Sequence, residues 1–387
     1  MACDKTPYPE KPGENDQPVS RDALAGRLIG RVKRVYTGYA ADQRVRYECS
    51  SGGIATALLL SMLEQGVIEG AVLACPVPGN YIRHRMRICV TPEEISDNKG
   101  TVYCRVDCKG ILEFLSANRK IAVVGPPCLL RTVDTFIRDK KMAPEKIFKI
   151  GLFCGGVTDG RVLDYLCARK GVSPGDVTGI RYRSGGWPGR KMTVKVRKRG
   201  KGPEEEIVLF DRDRSFFQKA LYDFCFSGPF FLKQCLYCKD QTAETADISL
   251  GDAWLERMIA SDNTGTSMVI VRTARGEGAV KLALDNNDIV LSDSSADEVL
   301  ASQGDCLVGR KLGLWGKHLP GNAADEELLE ICRRYIPGYI PPERALLERR
   351  FFQWMASRFS ASFAFACFLF YTLSCKILKK IMGPRNR

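Results

Sequence analysis

Two cysteines in "CLYCKD" (235–240), Cys235 and Cys238, carry the sharpest chemical signal in the chain. Thiolates at this spacing on a turn can grip a metal ion or one edge of a cluster, form a redox dithiol, or pack as small buried side chains. A redox dithiol of the thioredoxin kind opens a helix, and the flanks here lack that pattern. A metal or cluster needs two further ligands. Cys128 in "VVGPPC" (123–128) and Cys154 in "IGLFCGG" (150–156) are the best placed, each in a loop after an apolar run and next to Gly or Pro. Loops at the carboxyl ends of neighbouring strands converge in α/β folds. Cys128, Cys154, Cys235 and Cys238 are therefore the candidate ligand set. Zinc and iron–sulfur clusters both accept four thiolates, and spacing leaves both open.

The remaining cysteines, of 16 in all, carry weaker signals. Cys104 and Cys108 form a C-x-x-x-C that could join Cys49, Cys75 or Cys89 in a second site. Cys167, Cys225, Cys306, Cys332, Cys367 and Cys375 read as packing residues. "SSGGIAT" (50–56) is a small-residue loop opening onto a helix, where backbone amides bind anions and glycine lets a phosphate approach. "KGTVY" (99–103) is a second Gly/Thr loop, and "GDAW" (251–254) ends a strand with an acid and an indole. Each, taken singly, reads equally as an ordinary turn. The two histidines, His84 and His318, build no triad, and neither a G-x-S-x-G elbow nor H-E-x-x-H occurs, which excludes the common hydrolase chemistries.

Positioning these residues calls for alternating strands and helices. "CSSGGIATALLLSMLEQGVIEGAVLACPV" (49–77) reads as Gly-turn, helix, Gly-turn, strand. "IAVVG" (121–125) and "KIFKIGLF" (146–153) are buried strands followed by loops, and a helix follows the first. The expected class is α/β with mixed α+β character: a flavin-binding α/β part and a smaller part closing over a cleft. Gly/Pro punctuation and alternating polarity in 179–200 predict a hairpin or meander, and "SMVIVRT" (267–273) another strand. The expected organisation is a polar arm over 1–27, an amino-terminal α/β part over 28–178, a carboxyl-terminal part over 179–345 and a tail helix over 346–387.

The polar start has no signal-peptide core, so the expected setting is cytoplasmic, where thiols stay reduced. The formal charge of +13 calls for an anionic partner or cofactor; no zinc-finger or RNA-recognition signature accompanies it, so nucleic acid is not expected. "FSASFAFACFLFYTLSC" (359–375) is 17 uncharged residues flanked by basic ones, close to the length of a membrane span. It reads as a helix docked on the body, an anchor for peripheral membrane contact, or a span.

The segments "SSGGIATALLLSMLEQGVIEGAVLA", "KGTVY", "VVGPPC", "IGLFC", "CLYCKDQTAETADISLGD" and "SMVIVRT", in this order, resemble the coenzyme F420 hydrogenase/dehydrogenase beta-subunit family over about residues 28–290. That family includes beta subunits of deazaflavin-reducing hydrogenase and formate dehydrogenase, and hydroxymethyl-chlorophyll reductase. The resemblance implies FAD beside a [4Fe-4S] cluster. It places the cluster on Cys128, Cys154, Cys235 and Cys238. It places the flavin against Ser51, Gly52, Gly53 and Thr56, against Gly100, Thr101 and Tyr103, and against Gly125 and Pro126, with Asp252 and Ser267 nearby. It implies electron transfer to or from coenzyme F420 or another redox substrate, with a donor protein such as ferredoxin or a hydrogenase/dehydrogenase subunit. Two departures stand out. Val102 takes a position often basic in relatives, with Lys99 upstream, and no repeated C-x-x-C of a ferredoxin module precedes the matched part. The rival expectations are a ferredoxin-fed reductase of another organic substrate and a zinc-stabilised, membrane-associated binding protein.

Overall fold

The computed structural model describes residues 21–116, 119–198, 202–313, 365–369 and 371. Its strands are β1 (Arg34–Ala40), β2 (Gly70–Val77), β3 (Asn80–Cys89), β4 (Ile121–Gly125), β5 (Ile147–Leu152), β6 (Val177–Ser184), β7 (Lys191–Val196), β8 (Glu205–Asp211), β9 (Ile248–Asp252), β10 (Ser267–Val271) and β11 (Ile289–Asp293). Eight join one sheet in the order β11-β1-β10-β9-β5-β4-β2-β3, and β6-β7-β8 form a separate antiparallel sheet. The expected mixed α/β class is what forms.

The middle of the large sheet, β2-β4-β5-β9, is parallel, which is why "IAVVG" and "IFKIGL" are almost continuously apolar: both faces are covered. Side chains alternate between those faces. Ala71 and Leu73 of β2 and Ala122 of β4 meet the helix Ile54–Glu64 through Leu58, Leu59 and Met62. Val72 of β2 and Ile121 and Val123 of β4 meet Leu129, Leu130 and Val133 of the helix Pro127–Asp139 on the other side.

Strand direction decides where the loops go. β1 and β9 are each antiparallel to β10, so β1 runs with the parallel set. The carboxyl ends of β1, β2, β4, β5 and β9 therefore share one sheet edge with the start of β10 at Ser267. Every loop singled out above leaves from this edge or reaches it.

The chain leaves the large sheet after β5, residue 178 lies inside β6 of the small sheet, and β9, β10 and β11 then return to the large sheet. The small sheet has its own core. Met192, Val194 and Phe210 pack with Val162 and Leu166 of the helix Arg161–Arg169 and with Leu221 and Phe224 of the helix Phe216–Ser227. The arm expected over 1–27 overlaps the helix Arg21–Ile29; Ala25 is buried and Leu28 and Ile29 sit in a third core, while residues 1–20 lie outside the described residues. Of the tail, Phe365 is buried against Phe217 and Phe224, and Phe368 also meets Phe224, so this described part packs on the body. No helix among the described residues is long and apolar enough to cross a membrane.

Candidate functional site

The four candidate thiols arrive on three segments. Pro126 and Pro127 start the helix Pro127–Asp139, placing Cys128 in its first turn at the protein surface. Cys154 follows β5; its sulfur accepts the Gly156 N–H at 3.4 Å, and its own N–H donates to the Gln241 carbonyl at 2.8 Å. Gly156, at φ 110, sits against the Phe231 ring, where a Cβ would come within 2.1 Å of it. A 3-10 turn, Lys233–Leu236, carries Cys235, and Cys238 follows one residue after Tyr237. Buried Asp240 closes this segment by accepting the Ala243 N–H at 2.8 Å, and the Cys238 thiol donates to the Asp240 carbonyl at 3.2 Å.

These thiols are neighbours. Desolvation by the surrounding loops, then the charges of Cys238 and Cys235, hold the Cys128 thiol above its usual range. Burial pushes Cys154 up to about 12, with Cys128 and Cys235 adding to the rise and Arg310 opposing it. Cys235 is likewise raised by burial, Arg310 opposing and Cys238 adding. Arg131 reaches the Cys238 sulfur at 3.7 Å. No group of three or more His, Cys, Asp or Glu among the described residues is arranged to hold a single metal ion. That includes the second set: Cys104 is buried against the Thr158 hydroxyl, Cys108 is exposed, and Cys75 and Cys89 lie sulfur to sulfur at 3.7 Å. Cys167 and Cys225 are buried, as packing residues are, whereas Cys306 borders the cavity described next; Cys332 and Cys375 lie outside the described residues.

A cavity of about 960 Å³ runs along the sheet edge. That is within the range of pockets for cofactors and other small molecules. Of the sequence-predicted residues, Ser51, Gly53, Thr56, Gly100, Thr101, Tyr103, Gly125, Pro126, Asp252, Ser267, Cys128 and Cys235 line it, while Gly52, Cys154 and Cys238 do not. The loops brace one another. Thr101 N–H donates to the Ser50 hydroxyl at 2.8 Å, joining the 50–56 and 99–103 loops. Gly52 N–H donates to Ser267 Oγ at 3.0 Å, and a Cβ on Gly52 would lie 2.4 Å from the Gly38 carbonyl. Gly53, at φ 79, turns the chain into the helix behind it. Lys99 is held by Glu48 at 2.9 Å.

The opposite wall comes from the small sheet, and sequence reasoning missed it. Arg183 of β6 binds both Asp252 oxygens at 2.9 and 2.8 Å, and the Trp187 indole N–H donates to Asp252 at 3.1 Å. Trp187 stacks on Trp254 at 5.5 Å, with the Arg183 and Arg190 guanidinium groups over the Trp254 ring. Arg212 after β8 lies over Tyr222 at 5.2 Å. Tyr103 is half-buried between Tyr182 and Phe226, and desolvation pushes its phenol up to about 12. The lining has five cationic side chains, Lys99, Arg105, Arg183, Arg190 and Arg212, against two carboxylates, Asp223 and Asp252. The field in the cavity therefore favours anions. The available signals were the indole of "GDAW" and the basic run at 190–202, but only pairing of β6, β7 and β8 aims them inward.

The molecule is thus a mixed α/β protein that gathers thiols and an anion-attracting cavity at one sheet edge. Comparison with known proteins makes the class specific. Residues 35–113 match the family profile for the amino-terminal part of the coenzyme F420 hydrogenase/dehydrogenase beta subunit, and residues 118–297 match the profile for its carboxyl-terminal part. The chain is 24% identical to coenzyme F420 hydrogenase subunit beta of Methanothermobacter thermautotrophicus over 67% of this chain and 83% of that protein. It is 22% identical to F420-dependent formate dehydrogenase 1 subunit beta of Methanococcus maripaludis, over 64% and 58%. A chain in the solved F420-reducing [NiFe] hydrogenase complex from Methanosarcina barkeri shares the fold, with a TM-score of 0.50 and 22% identity over 69% of this chain and 84% of that one. The protein belongs to the coenzyme F420 hydrogenase/dehydrogenase beta-subunit family, a family of oxidoreductase subunits.

Proposed function

We propose that the chain is a flavin-dependent iron–sulfur oxidoreductase that moves electrons between a [4Fe-4S] cluster, FAD and an anionic hydride carrier such as coenzyme F420. The observation that carries this reading is the meeting of thiols and loops in one cavity: Cys128 and Cys235 share its wall with Ser51, Gly100 and Gly125. The donor set fits a cluster. Four neighbouring thiols stand on three segments, a backbone N–H points at the Cys154 sulfur, and Arg131 lies beside Cys238. Amide–sulfur bonds and nearby cations suit the negative charge of thiolate-ligated iron.

The cavity also fits a long anionic cofactor. Its excess of cationic side chains favours a pyrophosphate, and the 50–56 loop offers glycines and a helix start. When bound, the cluster supplies one-electron steps and the flavin converts these to hydride transfer. The chain's own residues hold and orient. Ser50 and Ser267 fix the loop backbones, Asp252 pins Arg183, and the Tyr103 ring, packed against Tyr182 and Phe226, lines one side. A partner protein, such as ferredoxin or a hydrogenase/dehydrogenase subunit, exchanges electrons at the surface beside Cys128, which is exposed. One observation favours a second acceptor: Lys99 is committed to Glu48, and position 102 is Val, so a reductase of another organic substrate fed by the same chain of cofactors is the alternative.

Anaerobic purification tests the reading. The expected result is bound FAD and about four iron per chain. Stoichiometric zinc without flavin overturns it. Cys235→Ser should remove the cluster absorption, and an assay of F420 reduction against other acceptors decides between the two substrates.

A further inference from the structure

The helix Ala296–Lys311 lies at the edge of the family match and runs past its end at residue 297. At Gly304 its backbone breaks to φ 54 and ψ −146. That region is accessible essentially to glycine alone, and no neighbouring atom lies within 4 Å of where a Cβ would stand, so backbone freedom rather than space demands the glycine. The break redirects the second half of the helix. Leu307, Val308 and Leu312 enter the core shared with Leu28, Ile29 and Val35.

Arg310 comes off this redirected half and is 1% exposed. One terminal nitrogen donates to the Cys235 carbonyl at 2.7 Å, and the other donates to the carbonyl of Gly155, next to Cys154, at 2.5 Å. A single planar guanidinium thus spans two of the three segments that carry the thiols. A lysine lacks this arrangement, since its ammonium gathers its donors on one nitrogen instead of two held apart in a planar fork. Because the guanidinium is bonded to the carbonyl of Cys235 itself and to that of the residue next to Cys154, its positive charge is fixed beside both thiol-bearing residues.

We propose that Arg310 is a positioning residue for the four-cysteine site: it clamps the Cys154 and Cys235 loops together, and its charge makes electron uptake there easier. The proposal rests on the reading that these thiols hold a cluster. Reduction adds negative charge, which a fixed neighbouring cation stabilises, so the cation raises the reduction potential. The two roles separate by substitution. Arg310→Met removes both clamp and charge; Arg310→Lys keeps the charge and loses the fork.

The experiment uses the full chain purified anaerobically, with circular dichroism confirming the fold of each variant. Arg310→Met should release iron to a chelator roughly tenfold faster or more, the scale of losing charge-assisted hydrogen bonds, and its cluster should reduce at a lower potential in a titration followed by electron paramagnetic resonance. Arg310→Lys should also lose iron faster but keep a potential near that of the unaltered protein. Iron release and potential unchanged in folded Arg310→Met overturn the proposal. If that variant does not fold, iron release from Arg310→Lys equal to that of the unaltered protein overturns the clamp. Metal-free protein gives a readout that does not need the cluster: iodoacetamide should alkylate Cys154 and Cys235 faster in both variants, and equal rates overturn the clamp. If the unaltered protein holds no iron at all, the cluster reading fails, while the alkylation rates still decide whether Arg310 holds the loops.

Discussion

The two walls of the cavity are built on opposite principles. On the large-sheet wall the polar side chains are taken up by the protein itself. Ser50 takes the Thr101 N–H, Ser267 takes the Gly52 N–H, Lys99 is held by Glu48, and Asp252 holds Arg183 and Trp187. What that wall offers a ligand is shape and backbone. On the small-sheet wall the cations are less committed. Arg190 rests on the Trp254 ring and joins no ion pair among the described residues, and Arg212 pairs at 3.5 Å with its half-exposed neighbour Asp213 while its Nε is buried without a hydrogen-bond partner among the described residues. A wall already satisfied suits a resident group, because nothing must reorganise when that group binds. A wall with uncommitted charge suits an anionic ligand that arrives and leaves, because its contacts form only on binding.

The comparison breaks most readily at the joint between the walls. The Arg183 and Asp252 side chains are only 8% and 17% exposed, so Asp252→Ala strands a buried guanidinium and should cost about 3–5 kcal/mol of stability, read from urea unfolding. A loss below about 1 kcal/mol would show that the pair is a bystander. A second joint is His84 of β3, whose ring meets Tyr182 of β6 at 5.7 Å. Burial lowers His84 to about 4, so the folded state keeps it neutral while the unfolded chain protonates it near 6.5. The stability this provides is complete above about pH 6.5 and lost as pH falls from there to about 4, by up to about 3 kcal/mol. His84→Phe should flatten the pH–stability curve across that window relative to the unaltered protein; equal slopes would remove His84 from the joint.

Legibility followed the range of the interactions involved. The parallel strands and the thiol loops were readable because each is announced locally by a continuous apolar run that ends in Gly, Pro or Cys. The convergence of Cys128 and Cys154 then follows from the parallel direction of β4 and β5, whereas Cys235 arrives on the turn Lys233–Leu236, which follows no strand, and the structure brings it beside them. β3 escaped notice because "NYIRHRMRIC" is rich in arginine, although Ile82, His84 and Met86 face inward at period two. The small-sheet wall was illegible for a different reason. Arg190 belongs to a run that reads as diffuse positive charge, and nothing local says that it will lie over an indole 64 positions later, at Trp254. Arg272 is a further case: its buried guanidinium bonds the Ile29 and Thr242 carbonyls, a role fixed only once distant segments meet.

The smaller predictions separate the walls themselves. Arg190→Gln and Arg212→Gln should each raise the KM for an anionic acceptor about tenfold, the scale of one charge-assisted contact, with bound flavin unchanged and a weaker salt dependence. Loss of flavin in either variant would mean that these arginines hold the resident cofactor, and the two walls would exchange roles. Ser50→Ala is the mirror experiment on the other wall. It leaves the Thr101 N–H without its partner, a loss of about 1 kcal/mol when the amide can turn to water. Because that bond joins the 50–56 and 99–103 loops, the effect should appear as flavin retention a few-fold weaker, measured by equilibrium dialysis, with the acceptor KM unmoved. A shift in acceptor KM with flavin retention intact would place the exchanging ligand against the glycine loops instead, and the distinction between a satisfied wall and an uncommitted one would no longer map onto resident and visitor.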